Sequence, residues 1–188
     1  MQAERSVAID LPQKIQVFQD TADGPVMVAY NPPNYLVERH PGIAPVATLA
    51  TIGGALSNIA SAASGVDAAE ILAMSMAALE HADELSNTLV SSVSNDGDFD
   101  ATYDPRLIAA IDASPTSQCL LEVDHEANAI ANGLTLLPTR LVIFGNPAIG
   151  TPLMQDVAAA GIDLPALKIV VWEDTDGCQY GLAVGEST

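Results

Sequence analysis

The chain has 188 residues, nearly half of them apolar, which suffices for one large domain or two small ones with a real core. Its 24 Asp and Glu stand against six Lys and Arg, for a net charge of -18. The six cations (Arg5, Lys14, Arg39, Arg106, Arg140 and Lys168) are scattered, and without a basic patch nucleic acid and anionic membrane surfaces are excluded as partners.

In chain order, "MQAERSVAID" has no apolar core of a signal peptide. Cytoplasmic placement is therefore the default, with export of a chain whose leader is missing from this sequence as the alternative. Lys14 to Phe18 reads as a strand, "DTADG" (20–24) as a hairpin turn and Val26 to Tyr30 as the returning strand. A helix is expected from about Asn34 to His40, where "HPG" stops it. Residues 41–66 carry no charge. Their Ser, Thr, Asn and Gly content argues for a closely packed internal or interface helix rather than a membrane span. Asp67 and Glu70 open a further helix like a capping box. On that helix Glu80, His81 and Glu84 read as a solvated face rather than a ligand set. Leu89 to Val93 reads as a strand, "SNDGDFD" as a loop, and Phe99 to Ala113 as a helix that Pro105 kinks or restarts. "QCLLEVDH" is a strand ending at Asp124-His125, "EANAIANG" a short helix stopped by Gly133, and Arg140 to Phe144 a buried strand. "GNPAIGTP" reads as a loop, with Thr151-Pro152 as N-cap and first residue of a helix through Ala160. Lys168 to Val184 then repeats the opening hairpin.

That repeat is explicit. "IDLPQKIQVFQDTADG" begins at Ile9 and "IDLPALKIVVWEDTDG" at Ile162. Phe18 and Trp172 fall at equivalent positions, which favours a packing role for both.

The second unit resembles the Domain of Unknown Function 302 family of bacteria and archaea. The resemblance is carried by Asp124-His125, Phe144-Gly145-Asn146-Pro147, Gly150 to Met154, Leu164-Pro165 and Trp172-Glu173-Asp174. It implies an α+β fold, an antiparallel sheet with helices like a TATA-box-binding-protein half-repeat, in the order strand, helix, four strands, helix. It implies nothing about DNA binding, since fold does not carry function. Residues 1–40 are expected to be the rear part of a first family copy, a hairpin and helix. Residues 41–88 are then an Ala/Gly/Ser-rich helical connector, and 89–188 a nearly complete second copy lacking its final helix. The lone hairpin must dock, either within the chain by extending the complete sheet or between two chains. With the uncharged 41–66 segment, this leads to an expected homodimer.

Two stretches carry candidate chemistry. Backbone N–H groups of the glycine turn at Gly145, Asn146, Gly150 and Thr151, before a helix N-terminus, suit an anion or carboxylate; the alternative is a structural turn. No Gly-Lys-Ser/Thr follows, so it is not a Walker A loop. Asp124-His125 suits a general base or metal site, or a histidine closing a hydrogen-bond network. Glu122 shares the face of Asp124; strand pairing could bring Glu173 and Asp174 near, the alternative being that they are hairpin-turn polarity. Cys119 and Cys178 have no adjacent activator or C-x-x-C partner, so no metal site is assigned. No Ser/His/Asp constellation stands out, and no cofactor is named. The leading expectation is a small-ligand-binding or sensory module with His125 and the 145–151 loop lining one pocket. An enzyme using Asp124 and His125, or a structural assembly domain, are the alternatives.

Overall fold

The computed structural model describes residues 1, 4–43, 47–75, 89–93, 98–156, 158–162, 167–174 and 180–185. The chain enters through a 3-10 segment, Ser6–Asp10, whose Val7, Ala8 and Ile9 are buried. Leu11, extended before Pro12, ends it. β1 (Ile15–Phe18) and β2 (Met27–Tyr30) pair antiparallel, closed by a turn in which the Gly24 N–H donates to the Thr21 carbonyl. α1 (Pro33–Arg39) starts on a proline, whose missing N–H costs nothing in the first turn, and stops at His40 before Pro41. α2 (Ala47–Ser64) buries Gly53, Leu56, Ser57 and Ala60, one stripe at helical spacing. Gly53 lets the helices approach closely there: a Cβ would meet Pro33 Cγ of α1 at 3.3 Å, a tight contact. α3 (Ala68–Ser75) is capped by the Asp67 carboxylate, which accepts from the Ala69 N–H at 2.8 Å. Among the described residues no helix is long and apolar enough to cross a membrane. The expected positions of Glu80, His81, Glu84 and Cys178 lie outside the described residues.

The second unit is a five-stranded antiparallel sheet. β3 (Leu89–Val93) is followed by α4 (Phe99–Thr102), a π-helical stretch at Tyr103–Ile108 and α5 (Ala109–Ala113). Then come β4 (Gln118–Asp124), α6 (His125–Ala131), β5 (Thr139–Gly145), α7 (Pro147–Asp156), a 3-10 segment at Ala158–Ile162, β6 (Leu167–Glu173) and β7 (Tyr180–Gly185). The sheet order is β3-β7-β6-β5-β4, every pair antiparallel. The protein is thus α+β, antiparallel sheets with helices. Phe99 and Tyr103 pack on Val171 and Ile169 on one face of the sheet. The other face, Leu141 and Val170 flanked by Val123, Ile143 and Trp172, is covered by Ala8 and Ile9 from the front of the chain.

Three sequence expectations change. Around Pro105 the 99–113 helix is locally widened to a π-helix, one way to absorb a missing N–H donor. The helix after β5 begins at Pro147 rather than Pro152, because Asn146-Pro147 is an equally good cap and first-turn pair and comes first. The opening hairpin does not extend the main sheet; β1 and β2 form a separate two-stranded sheet.

The two halves of the chain exchange contacts reciprocally. The first 3-10 segment lies on β5 and β6, and the second lies on β1 and β2. Lys168 Nζ donates to Asp10 Oδ1 at 3.2 Å, while its repeat counterpart Lys14 donates to the Ile162 carbonyl. Gln16 Nε2 adds a bond to the Ala158 carbonyl at 2.7 Å.

Candidate functional site

The residues singled out from sequence fall at two ends of one strand pair. Asp124 is registered with Arg140 at one end of β4–β5, and Gly145 with Gln118 at the other. Arg140 and Gly145 are five residue steps apart along β5, about 16 Å. The structure therefore does not bring His125 and the 145–151 turn into one pocket. Both follow strand C-termini, and in an antiparallel pair those lie at opposite ends.

Each stretch also spends its polar groups locally. Asn146 Oδ1 accepts from the Ala148 N–H at 2.9 Å, and the Gly150 N–H donates to the Asn146 carbonyl at 3.0 Å. Gly145 and Gly150 are buried and Thr151 is exposed. Asp124 caps α6, accepting from the Ala127 N–H at 2.8 Å, and lies 3.4 Å from Arg140 Nε. His125, buried as the first residue of α6, donates from Nε2 to the Ala8 carbonyl at 3.2 Å. Burial lowers its pKa, opposed by that bond. Glu122 and Asp124 do share a face, the one carrying α4. There Tyr103 Oη donates to Glu122 Oε2 at 2.8 Å, and the Arg140 guanidinium stands 5.3 Å from the Tyr103 ring centre. Burial and the Glu122 carboxylate both raise the Tyr103 pKa. Burial and Glu122 likewise raise that of the Cys119 thiol, the opposite of an activated nucleophile. Glu173 and Asp174 lie near Arg5, whose charge they favour, and Arg5 itself donates to the Leu137 and Pro138 carbonyls and to Thr139 Oγ1.

A densely coupled polar group lies where the sequence drew no attention. Asp10, at the end of the first 3-10 segment, is 6% exposed. Its Oδ1 accepts from Arg39 at 2.8 Å and from Lys168 at 3.2 Å, and its Oδ2 bonds His40 Nε2 at 2.8 Å. His40 Nδ1 in turn bonds Ser6 Oγ at 2.8 Å, and Ser6 Oγ donates to Glu4 Oε1 at 2.6 Å. Arg39 also donates to Tyr35 Oη at 2.7 Å. Burial alone would raise the Asp10 pKa; the His40 bond, Lys168 and Arg39 outweigh it and hold the carboxyl below its usual range. The order Ser6–His40–Asp10 is that of a nucleophile relay. Its surroundings are those of a structural tie: His40 is fully buried, Asp10 is balanced by two cations, and the Ser6 hydroxyl hydrogen goes to Glu4 rather than to the imidazole. Among the described residues no cluster of three or more His, Cys, Asp or Glu is arranged to hold a metal ion.

Open space is found elsewhere. A cleft of about 530 Å³ lies between β2, α2 and α3. Val26, Met27, Val28, Ala29 and Tyr30 line one side, Ala60, Ser64, Val66, Ile71 and Met74 the other, with Glu70 and Pro32 completing the lining. Val26 (61% exposed), Met27 (44%), Val66 (40%) and Met74 (69%) therefore gather on one feature instead of being spread over the surface.

Comparison with known proteins adds relatives. Fluoride-specific ion channel FluC 1 of Brucella suis biovar 1 is 47% identical over 70 residues, 37% of this chain and 27% of that protein. Fluoride-specific ion channel FluC 2 of Brucella melitensis biotype 1 is 47% identical over 70 residues, 37% of this chain and 26% of that protein. The chain thus spans about a quarter of the length of these curated relatives. A crystal structure of an uncharacterized conserved DUF302 protein from Bacillus stearothermophilus superposes with a TM-score of 0.45 at 15% identity, over 52% of this chain and 73% of that one. The model of Domain of unknown function DUF302 matches residues 1–63 and 90–180, and the chain belongs to the DUF302 family.

Proposed function

We propose that the protein is a non-catalytic binding module whose ligand enters the cleft between β2, α2 and α3. The observation that carries this reading is the cleft itself. Its volume of about 530 Å³ falls in the range of ligand pockets, about 300–1,000 Å³, and its walls are mostly apolar with few polar groups (Tyr30, Ser64 and Glu70). The acid–base reading of Asp124 and His125 has less support, since both side chains are engaged in capping and backbone bonds. The 145–151 turn gains little as an anion cradle, because Asn146 already answers two of its N–H groups.

In this reading the module comprises the rear part of one family copy (1–40), a connector (41–88) and a nearly complete second copy (89–188). The reciprocal bonds from Lys168 to Asp10 and from Lys14 to Ile162 support that division. The homodimer also belongs to the reading, supported by the uncharged surface that α2 leaves exposed around Ile59, and sedimentation at micromolar concentration decides it.

The binding test uses the neutral fluorophore N-phenyl-1-naphthylamine. The native protein should enhance its fluorescence saturably, and Ser64→Trp, placed on an exposed cleft position, should abolish the enhancement without lowering the melting temperature. An unsaturable response, or one indifferent to Ser64→Trp, overturns the reading.

A further inference from the structure

We infer that the natural occupant of this cleft is an extended, apolar segment of a partner protein that adds as a third strand to the free edge of β2; the inference rests on the binding reading above. Five consecutive residues, Val26 to Tyr30, line the cleft. Successive side chains of a strand point to opposite faces, so a cleft lying over one face would touch alternate residues only. All five line it and, among the described residues, none of β1 does, which puts the cleft beside β2 rather than over the hairpin. Among the described residues β2 pairs with β1 alone and no further backbone hydrogen bond reaches 26–30. Among those residues its other edge presents N–H and C=O groups, the template on which an extended peptide adds. The opposite wall, with Ala60, Ile71 and Met74, offers apolar contact to alternate side chains of the incoming strand. The lined edge is about 16 Å long, room for about five extended residues.

Charge selects the partner. Glu70 is the one charged residue among those lining the cleft, and it is exposed. The chain as a whole carries -18. A strand with a basic residue at the Glu70 end is attracted, whereas a second copy of this chain brings like charge against like.

The test displaces N-phenyl-1-naphthylamine with capped hexapeptides of alternating valine and threonine, ending in lysine or in glutamate. The lysine peptide should bind at least tenfold more tightly than the glutamate peptide at low salt, and the gap should narrow as salt is added. Glu70→Lys should reverse the preference, an effect that a merely structural Glu70 would not produce. N-methylation of the peptide backbone on its pairing edge should abolish binding. If the fluorophore binds but no peptide displaces it, the cleft is a small-molecule site: the inference falls and the binding reading stands. If neither binds, both fall. If the protein sediments as a dimer that Ser64→Trp dissociates, the occupant is a second copy and the inference is overturned.

Discussion

Asp10 shows how one carboxylate ties distant segments together. Its partners come from α1 with the adjoining His40 and from β6, and residues 10 and 168 lie 158 positions apart. Removing it takes the buried carboxylate away from buried Arg39, which costs about 3–5 kcal/mol. Asp10→Ala should therefore lower the melting temperature by on the order of 10 °C, read by calorimetry. Asp10 and His125 should set the acid limb of stability. His125 has a folded pKa below its unfolded value of about 6.5, so its contribution is full above that pH and is lost as pH falls through the folded value. Asp10, also depressed, contributes fully above about pH 3.9 and loses that contribution as pH falls through its own folded value. Urea midpoints measured against pH should fall in two stages, and His125→Asn should remove the upper one. The Asp10 node was not legible in the sequence. Asp10 and His40 lie thirty positions apart with a hairpin and a helix between them, the repeat containing Asp10 does not point to His40, and only the docking of the 3-10 segment brings Lys168 to them.

At the scale of elements, the sequence was most readable where local chemistry decides alone. The hairpin at 15–30, the stop of α1 at His40 and the Asp67 cap all follow from turn and cap residues. Gly133, at φ +70°, ends α6 as expected, and an alanine there should cost about 1 kcal/mol. Local rules failed where two choices were equally good. Asn146-Pro147 and Thr151-Pro152 are both sound helix starts, and the chain uses the earlier one. Asn146→Ala removes that cap and should lower stability by about 1 kcal/mol in urea unfolding, with the far-UV helix signal nearly unchanged. Thr151→Ala, at an exposed position that no longer caps, should stay within about 0.5 kcal/mol.

For the whole molecule, the sheet of the second unit is completed by the front of the chain. Ile9 is 1% exposed and packs with Leu141 and Val170. Ile9→Ala should therefore cost about 2–5 kcal/mol, as much as a substitution within the sheet itself. A broadened unfolding transition with an unshifted midpoint would show instead that the front of the chain unfolds separately from the sheet. The sequence by itself determined the family, the α+β class, the repeat and most elements, because these rest on hydrophobic period, turn residues and motif spacing within short windows. Only the tertiary structure decided that His125 and the 145–151 turn fall at opposite ends of a strand pair, that Asp10 meets Lys168, and that an apolar cleft opens between β2, α2 and α3. Those outcomes depend on register and on contacts between residues more than a hundred positions apart, which no local pattern encodes.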